Sequence, residues 1–151
     1  STTLMKNNGK IFVIKNNDLE LSYRKSNISD NDILINARFN IELGNKEEIE
    51  EELKNIKKKR ETSQPIKTKT GGSSFKNPKG FHAAKLIELA GCKGLKIGDA
   101  IVSDKHANFI INTNNATSEQ IESLGKKIID KVYRKFQIML DWEIKIVGDS
   151  S

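Results

Sequence analysis

The stretch Asp32-Ile33-Leu34-Ile35-Asn36-Ala37-Arg38-Phe39-Asn40-Ile41-Glu42-Leu43 places Ile33, Ile35, Ala37, Phe39, Ile41 and Leu43 on one face and Asn36, Arg38, Asn40 and Glu42 on the other. Side chains along a strand alternate between faces, so this pattern predicts a long, half-buried antiparallel strand. Gly44 ends it. Asn45 then stands as an N-cap with Glu48 three residues on, a loose capping box ahead of Ile49, Leu53 and Ile56 at helical spacing. Glu47, Glu48, Glu50, Glu51 and Glu52 crowd the first turns and Lys57, Lys58, Lys59 and Arg60 the last, so both ends complement the helix dipole. That charge run reads as a solvated helix face.

Upstream, Ile11 to Lys15 and the alternating Leu19, Leu21 and Tyr23 predict a hairpin turning at Asn16-Asn17-Asp18. Downstream, Gln64-Pro65 stops the helix and Lys67 to Gly80 is a loop rich in Gly, Ser, Lys and Pro. A short helix from about Phe81 buries Ala83, Leu86, Ile87 and Ala90, with Gly91 as its C-terminal cap. Ala100 to Val102 and Phe109 to Ile111 read as short strands. Thr117 with Gln120 makes a second capping box before the longest helix, whose stripe is Ile121, Leu124, Ile128, Ile129, Val132, Tyr133 and Phe136. A final strand is expected from about Ile138 to Val147, with Ile138, Leu140, Trp142, Ile144 and Ile146 opposite Asp141, Glu143 and Lys145. No internal repeat stands out. Irregular interleaving of strands and helices predicts an α+β fold, antiparallel strands packed with helices, over regular βαβ winding.

At 151 residues, 36% hydrophobic and 30% charged, the chain can bury a core, which excludes a wholly disordered or collagen-like chain. The net charge of +6 keeps phosphates, nucleotides and nucleic acid in play as partners. The longest apolar run, Ile11 to Ile14, is far short of the roughly 20 residues of a spanning helix, and the first residues lack a signal-peptide pattern. One cysteine, Cys92, excludes a disulfide framework and makes the cytoplasm the default compartment. Two histidines and one cysteine give no pair at ligand spacing, so no metal is expected. Gly71-Gly72-Ser73-Ser74 is followed by Phe75 and Lys76, so neither a Walker-type loop nor a G-x-G-x-x-G fingerprint is present. The loop from Lys67 to Lys79 is nevertheless suited to an anion: two glycines, several hydroxyls and lysines, and the amide of Asn77. A mobile basic loop without a ligand has the same composition.

Several blocks in order decide between these readings. They are Tyr23-Arg24-Lys25-Ser26, Gly72-Ser73-Ser74-Phe75-Lys76-Asn77-Pro78, the run from Ala84 to Gly94, Gly98 to Asn112 with Ser103-x-Lys105-His106-Ala107-Asn108-Phe109, and Leu140-Asp141-Trp142-Glu143-Ile144. Together they resemble the UDP-N-acetylenolpyruvoylglucosamine reductase (UDP-N-acetylmuramate dehydrogenase, MurB) family, in the group without the tyrosine-bearing loop insertion, over nearly the whole chain. The resemblance implies a cytoplasmic flavoprotein oxidoreductase of peptidoglycan synthesis, and so of cell wall biogenesis, cell shape and cell division. In such an enzyme NADPH reduces FAD, the flavin passes hydride to an enolpyruvyl double bond, and a serine protonates the neighbouring carbon. UDP-N-acetylglucosamine enolpyruvate becomes UDP-N-acetylmuramate.

By position, the resemblance makes Ser73 the proton donor and sets Arg24 and Glu143 beside the enolpyruvyl carboxylate as the other catalytic residues. Tyr23, Arg60, Lys76 and Asn77 are implied substrate-binding residues, Arg60 and Gln64 falling on the family's R-x-x-x-Q-P pattern. His106 and Asn108 are read as structural and left out of the catalytic set. Two departures stand out: Cys92 replaces a usual leucine, and Asp141-Trp142 replaces a common Glu-Pro, which leaves Asp141 as a rival to Glu143. The chain opens without an initiator methionine, and the family's FAD-binding domain lies mainly upstream. The expectation is therefore a C-terminal fragment, inactive alone: residues 1–44 the tail of the FAD-binding domain, 45–137 the substrate-binding domain, and 138–151 a final strand returning toward the missing N-terminal half. The alternative is a small basic RNA-binding domain, disfavoured because Phe39, Phe136 and Trp142 fall on stripes expected to be buried.

Overall fold

A computed structural model describes residues 1–148, which divide into two compact units, Ser1–Lys46 and the residues from Glu47 on. The first holds a three-stranded antiparallel sheet of β1 (Thr2–Met5), β2 (Ile11–Ile14) and β3 (Ile33–Ala37) in the order β2-β1-β3. Leu4, in the central strand, is fully buried. The hairpin lies one connection earlier than the sequence predicted: β2 pairs with β1, and the turn between them is closed by Lys6 N–H to Lys10 O at 2.9 Å and Gly9 N–H to Lys6 O at 2.8 Å. Asn16–Leu19 forms a 3₁₀ turn instead, which buries Leu19.

The long strand is also corrected. β3 stops at Ala37, and the register slips between Thr3↔Asn36 and Leu4↔Leu34, leaving Ile35 as an extra residue. A one-residue slip turns the alternation over, so no single face of β3 collects the apolar side chains. Ile33, Leu34 and Ile35 are all exposed, and Phe39, expected on a buried face, is 78% exposed.

The second unit opens with α1 (Lys46–Ser63), which buries none of its residues; the predicted stripe of Ile49, Leu53 and Ile56 is exposed. Its sheet contains β4 (Lys69–Ser73), β5 (Lys96–Ile97), β6 (Ala100–Val102) and β7 (Phe109–Asn112), antiparallel in the order β4-β7-β6-β5. β4 corrects the reading of residues 67–80 as wholly loop. Two helices complete the unit: α2 (Ala83–Leu89) and α3 (Ser118–Phe136). Leu124, Ile128 and Val132 of α3 join Ile87, Val102, Phe75 and Leu140 in one core. Each such side chain contributes roughly 1.5–3 kcal/mol by leaving water.

Local chemistry sets the helix ends. Past α2, Gly91 takes φ +68°, its N–H bonds Glu88 O at 2.9 Å, and Cys92 N–H bonds Ile87 O at 3.1 Å. This is the paired closure of a Schellman turn, which needs the left-handed conformation a glycine adopts freely. Thr117 caps α3 through its hydroxyl, which accepts from Gln120 N–H at 3.2 Å. The box is not reciprocal, because Gln120 Oε1 accepts instead from Asp99 N–H at 3.1 Å and ties α3 to the β5–β6 connection. The expected final strand reduces to one antiparallel bridge, Trp142 to Phe75, and Ile146 and Val147 are exposed. Residues 149–151 of that expectation lie outside the described residues.

Candidate functional site

The loop after β4 is built by a bulge. β4 pairs Thr70 with Ile111 and Ser73 with Phe109, so one extra residue is accommodated at Gly71-Gly72, with Gly72 at φ +87°. Thr70 locks this shape: its Oγ1 donates to Ile110 O at 2.7 Å and accepts from Gly72 N–H at 3.3 Å. Bulges re-aim the residues that follow them. Here the residue that follows is Ser73, which is half-buried.

Beyond Ser73 the backbone runs between two partners. On one side stands Asn108, buried to 4% exposure. Its carbonyl accepts from Ser74 N–H at 2.8 Å, its Oδ1 accepts from Phe75 N–H at 3.0 Å, and its Nδ2 donates to Phe75 O at 2.8 Å. On the other side runs the segment Asp141-Trp142-Glu143: Glu143 N–H donates to Ser74 O at 2.9 Å, and Lys76 N–H donates to Asp141 O at 2.8 Å. These two bonds frame Phe75 and Trp142 as a non-hydrogen-bonded antiparallel pair, the kind whose side chains come closest. Their ring centroids are 4.8 Å apart. The backbone of Glu143 is thereby fastened to Ser74, the residue that follows Ser73.

Glu143 is half-buried with Oε2 shielded from solvent, whereas Asp141 is exposed. Of the two carboxylates considered from sequence, Glu143 is the more buried. Lys76 is half-buried in the same ladder. Asn77 Oδ1 accepts from Ala83 N–H at 2.9 Å, so one face of that amide fastens the loop to the first turn of α2. Arg60, in the last turn of α1, lines a separate groove of about 440 Å³ with Leu53, Ile56, Lys57 and Ile66. Tyr23 and Arg24 belong to the first unit, at the tip of a tight turn closed by Ser22 and Lys25 in both directions, at 3.0 and 3.2 Å. Arg24 has φ +58° and its guanidinium lies 5.8 Å from the Tyr23 ring centre. A left-handed arginine costs on the order of 1 kcal/mol, a strain of the kind that collects at functional positions.

His106 supports the ladder from behind. Its Nδ1 accepts from Asn108 N–H at 3.3 Å, which puts the neutral ring's proton on Nε2, and its edge meets Phe109 at 4.8 Å. Burial, assisted by the charge of Lys93, holds this imidazole below its ordinary value of 6.5. Sequence reasoning left Asn108 out of the site and gave no role to Gly125, a buried mid-helix glycine of α3 whose absent Cβ makes room for the Trp142 indole. A glycine inside an otherwise strong helical stripe was the available signal. Among the described residues, no group of three or more His, Cys, Asp or Glu side chains is placed to hold a metal ion, and no helix is long and apolar enough to cross a membrane.

The family profile described as UDP-N-acetylenolpyruvoylglucosamine reductase, C-terminal domain, matches residues 64–147. The chain is 47% identical over 140 residues to the protein of that reductase name from Novosphingobium aromaticivorans, covering 93% of this chain and 47% of the relative. It is 39% identical over 148 residues to that of Anaplasma marginale, covering 98% and 50%. The crystal structure of UDP-N-acetylenolpyruvylglucosamine reductase from Thermus caldophilus superposes with a TM-score of 0.80 at 32% identity, over 94% of this chain and 51% of that one. The chain thus spans about half the length of the curated relatives it matches.

Proposed function

Because the chain belongs to the UDP-N-acetylenolpyruvoylglucosamine reductase family, we propose that it supplies the substrate-binding part and the proton donor for NADPH- and FAD-dependent reduction of UDP-N-acetylglucosamine enolpyruvate to UDP-N-acetylmuramate. The setting is cytoplasmic peptidoglycan precursor synthesis, and with it cell wall biogenesis, cell shape and cell division. The observation that supports this reading is the bulge at Gly72, which directly precedes Ser73, one residue before the Ser74 carbonyl that accepts from Glu143 N–H.

In this reading the Ser73 hydroxyl gives its proton to the substrate carbon next to the one that receives hydride. A serine hydroxyl is a weak acid, so that carbon must first become enolate-like, and groups placed around the carboxylate stabilise the charge as it develops. Arg24 holds the carboxylate through its guanidinium fork, and Glu143 completes the surround. Tyr23, Arg60, Lys76 and Asn77 bind the remainder of the substrate, with Asn77 also shaping the loop through its bond to Ala83.

FAD supplies the hydride when bound, and NADPH recharges it. The described residues do not by themselves make a flavin dinucleotide site: α1 opens on Lys46-Glu47-Glu48 and α3 on Ser118-Glu119, and neither start is a glycine-rich turn that would cradle a pyrophosphate. The flavin site is accordingly assigned to an upstream half, with residues 1–44 as its tail, 45–137 as the substrate-binding domain and 138–151 returning toward it. The exposed apolar side chains of Ile11, Val13, Ile33, Leu34, Ile35 and Phe39 support a partner for the first unit. Family membership leaves the RNA-binding alternative without support. In the full-length protein, Ser73→Ala should leave reduction of the flavin by NADPH intact and cut turnover of the enolpyruvyl sugar nucleotide by about 10²–10⁴-fold, the usual worth of a general acid. Unchanged turnover would sink the assignment.

A further inference from the structure

The Trp142 indole sits where a side chain on Gly125 would be. A Cβ built on Gly125 lands on Cη2 of the indole, so α3 carries a notch at this point and the ring fills it. The same ring stacks on Phe75, whose side chain is 1% exposed, with planes tilted by 31°. Leu140, two residues before Trp142, is buried in the core. The segment 140–142 is therefore fixed by side chains, and Glu143 follows immediately, with its N–H bonded to Ser74 O. The indole is thus a bulky anchor directly before the candidate carboxylate.

We propose that Trp142 is a positioning residue: keyed into the Gly125 notch and against Phe75, it fixes the register in which Glu143 is presented opposite Ser74, the residue that follows Ser73. This rests on the reductase reading above. The argument is geometric. Phase along an antiparallel pair is set by whichever side chains cannot slide, and a slip of one residue turns every side chain to the opposite face. Two backbone hydrogen bonds pair the segments among the described residues, whereas the indole is confined by a helix on one count and a buried phenyl ring on another. Catalysis is steeply sensitive to such placement, a displacement of about 1 Å costing on the order of 10²-fold.

Two readouts test it. Trp142 is the chain's single tryptophan, so its emission reports on the notch directly. In this chain, Gly125→Ala should shift that emission to longer wavelength. In the full-length, flavin-loaded protein the same change should lower kcat on the order of 10²-fold with KM for the sugar nucleotide nearly unchanged, since a group placed wrongly for the transition state still leaves substrate bound. The double variant Gly125→Ala/Trp142→Leu should be no worse than Trp142→Leu alone, because the alanine acts only through the indole. A shifted emission with wild-type kcat overturns the proposal, as does a double variant whose losses multiply. Should Gly125→Ala fail to fold, Trp142→Phe decides: a fall in kcat with KM kept supports the role, and wild-type kcat removes it. A wild-type protein that reduces its flavin but not the sugar nucleotide defeats the reductase reading itself, before any variant is compared.

Discussion

Asn108 grips both polar groups of Phe75, accepting its N–H at 3.0 Å and donating to its carbonyl at 2.8 Å, from a position 33 residues away in sequence. The amide thus imitates a neighbouring strand where β7 has already ended its own pairing at Phe109. An asparagine can do this because it carries a donor and an acceptor on one plane. Replacing it by alanine leaves a buried N–H and a buried C=O of Phe75 with no partner. Each such group costs about 1–3 kcal/mol, so Asn108→Ala should lower unfolding free energy by about 3 kcal/mol in urea titration. A loss below about 1 kcal/mol would mean that water replaces the amide, and the clamp would lose its significance.

Gly71 and Gly72 are adjacent but predicted to differ sharply. A Cβ at Gly72 meets nothing within 4 Å, yet φ is +87°, so alanine there is strained despite open space. At Gly71 the added Cβ would make an ordinary contact, 3.6 Å from Ile144 Cγ2, with no positive φ. Gly72→Ala should therefore cost about 1–2 kcal/mol, and Gly71→Ala little. Thermal melts of the two variants check the contrast. If both melt alike, the left-handed bulge is not what the sequence Gly71-Gly72 is for. On the proposed role of Ser73, Gly72→Ala in the full-length protein should also reduce turnover, because Ser73 directly follows the bulge.

His106 makes stability depend on pH in a stated direction. Burial holds its pKa below 6.5 in the folded chain, so between that lowered value and 6.5 the unfolded chain binds more protons than the folded one. Stability then rises with pH across this window. The contribution is complete above 6.5 and is lost as pH falls through the folded value. Urea midpoints for wild type should drop on acidification from about pH 7.5 to about pH 5, and His106→Gln should drop less over the same range. Parallel pH profiles for the two proteins would contradict this.

The parts of the fold legible in the sequence are those specified within a few residues. The helix Thr117 to Phe136 declared itself by its cap and its stripe, and the end of α2 by Gly91, because capping and periodicity are local. β4 was hidden by its two glycines, and β5 by being two residues long. The long strand after Asp32 failed for a different reason: its alternation is real, but the bulge at Ile35 and the exposure of the apolar side chains are settled by tertiary pairing. The final strand misled in the same way, since among the described residues its alternation yields a bridge of Trp142 to Phe75 and no continuous strand. At the site, Ser73, Arg24 and Glu143 came from resemblance and not from pattern. Asn108 and Gly125 act through contacts 33 and 17 positions distant: the mid-helix glycine signals a close approach to α3, but nothing local names Trp142 or Phe75 as the partner.

Cys92 offers a probe of that local Schellman turn. The thiol is completely buried, and burial pushes its pKa up, against a smaller opposing effect of Lys131. Thiolate is the reactive species, so alkylation requires both opening and deprotonation, and the folded chain suppresses each. Labelling of the native chain should be slower than that of the urea-unfolded chain by on the order of 10³-fold or more, the scale of a folding equilibrium. Cys92 N–H closes the turn onto Ile87 O, and Gly91 supplies its φ of +68°. Gly91→Ala, with no steric clash at its Cβ, should strain that turn by about 1–2 kcal/mol and speed labelling of Cys92 by about 5–30-fold. Equal labelling rates in the two proteins would show that Cys92 is exposed by an opening that leaves the end of α2 intact, and the turn would not be what shelters the thiol.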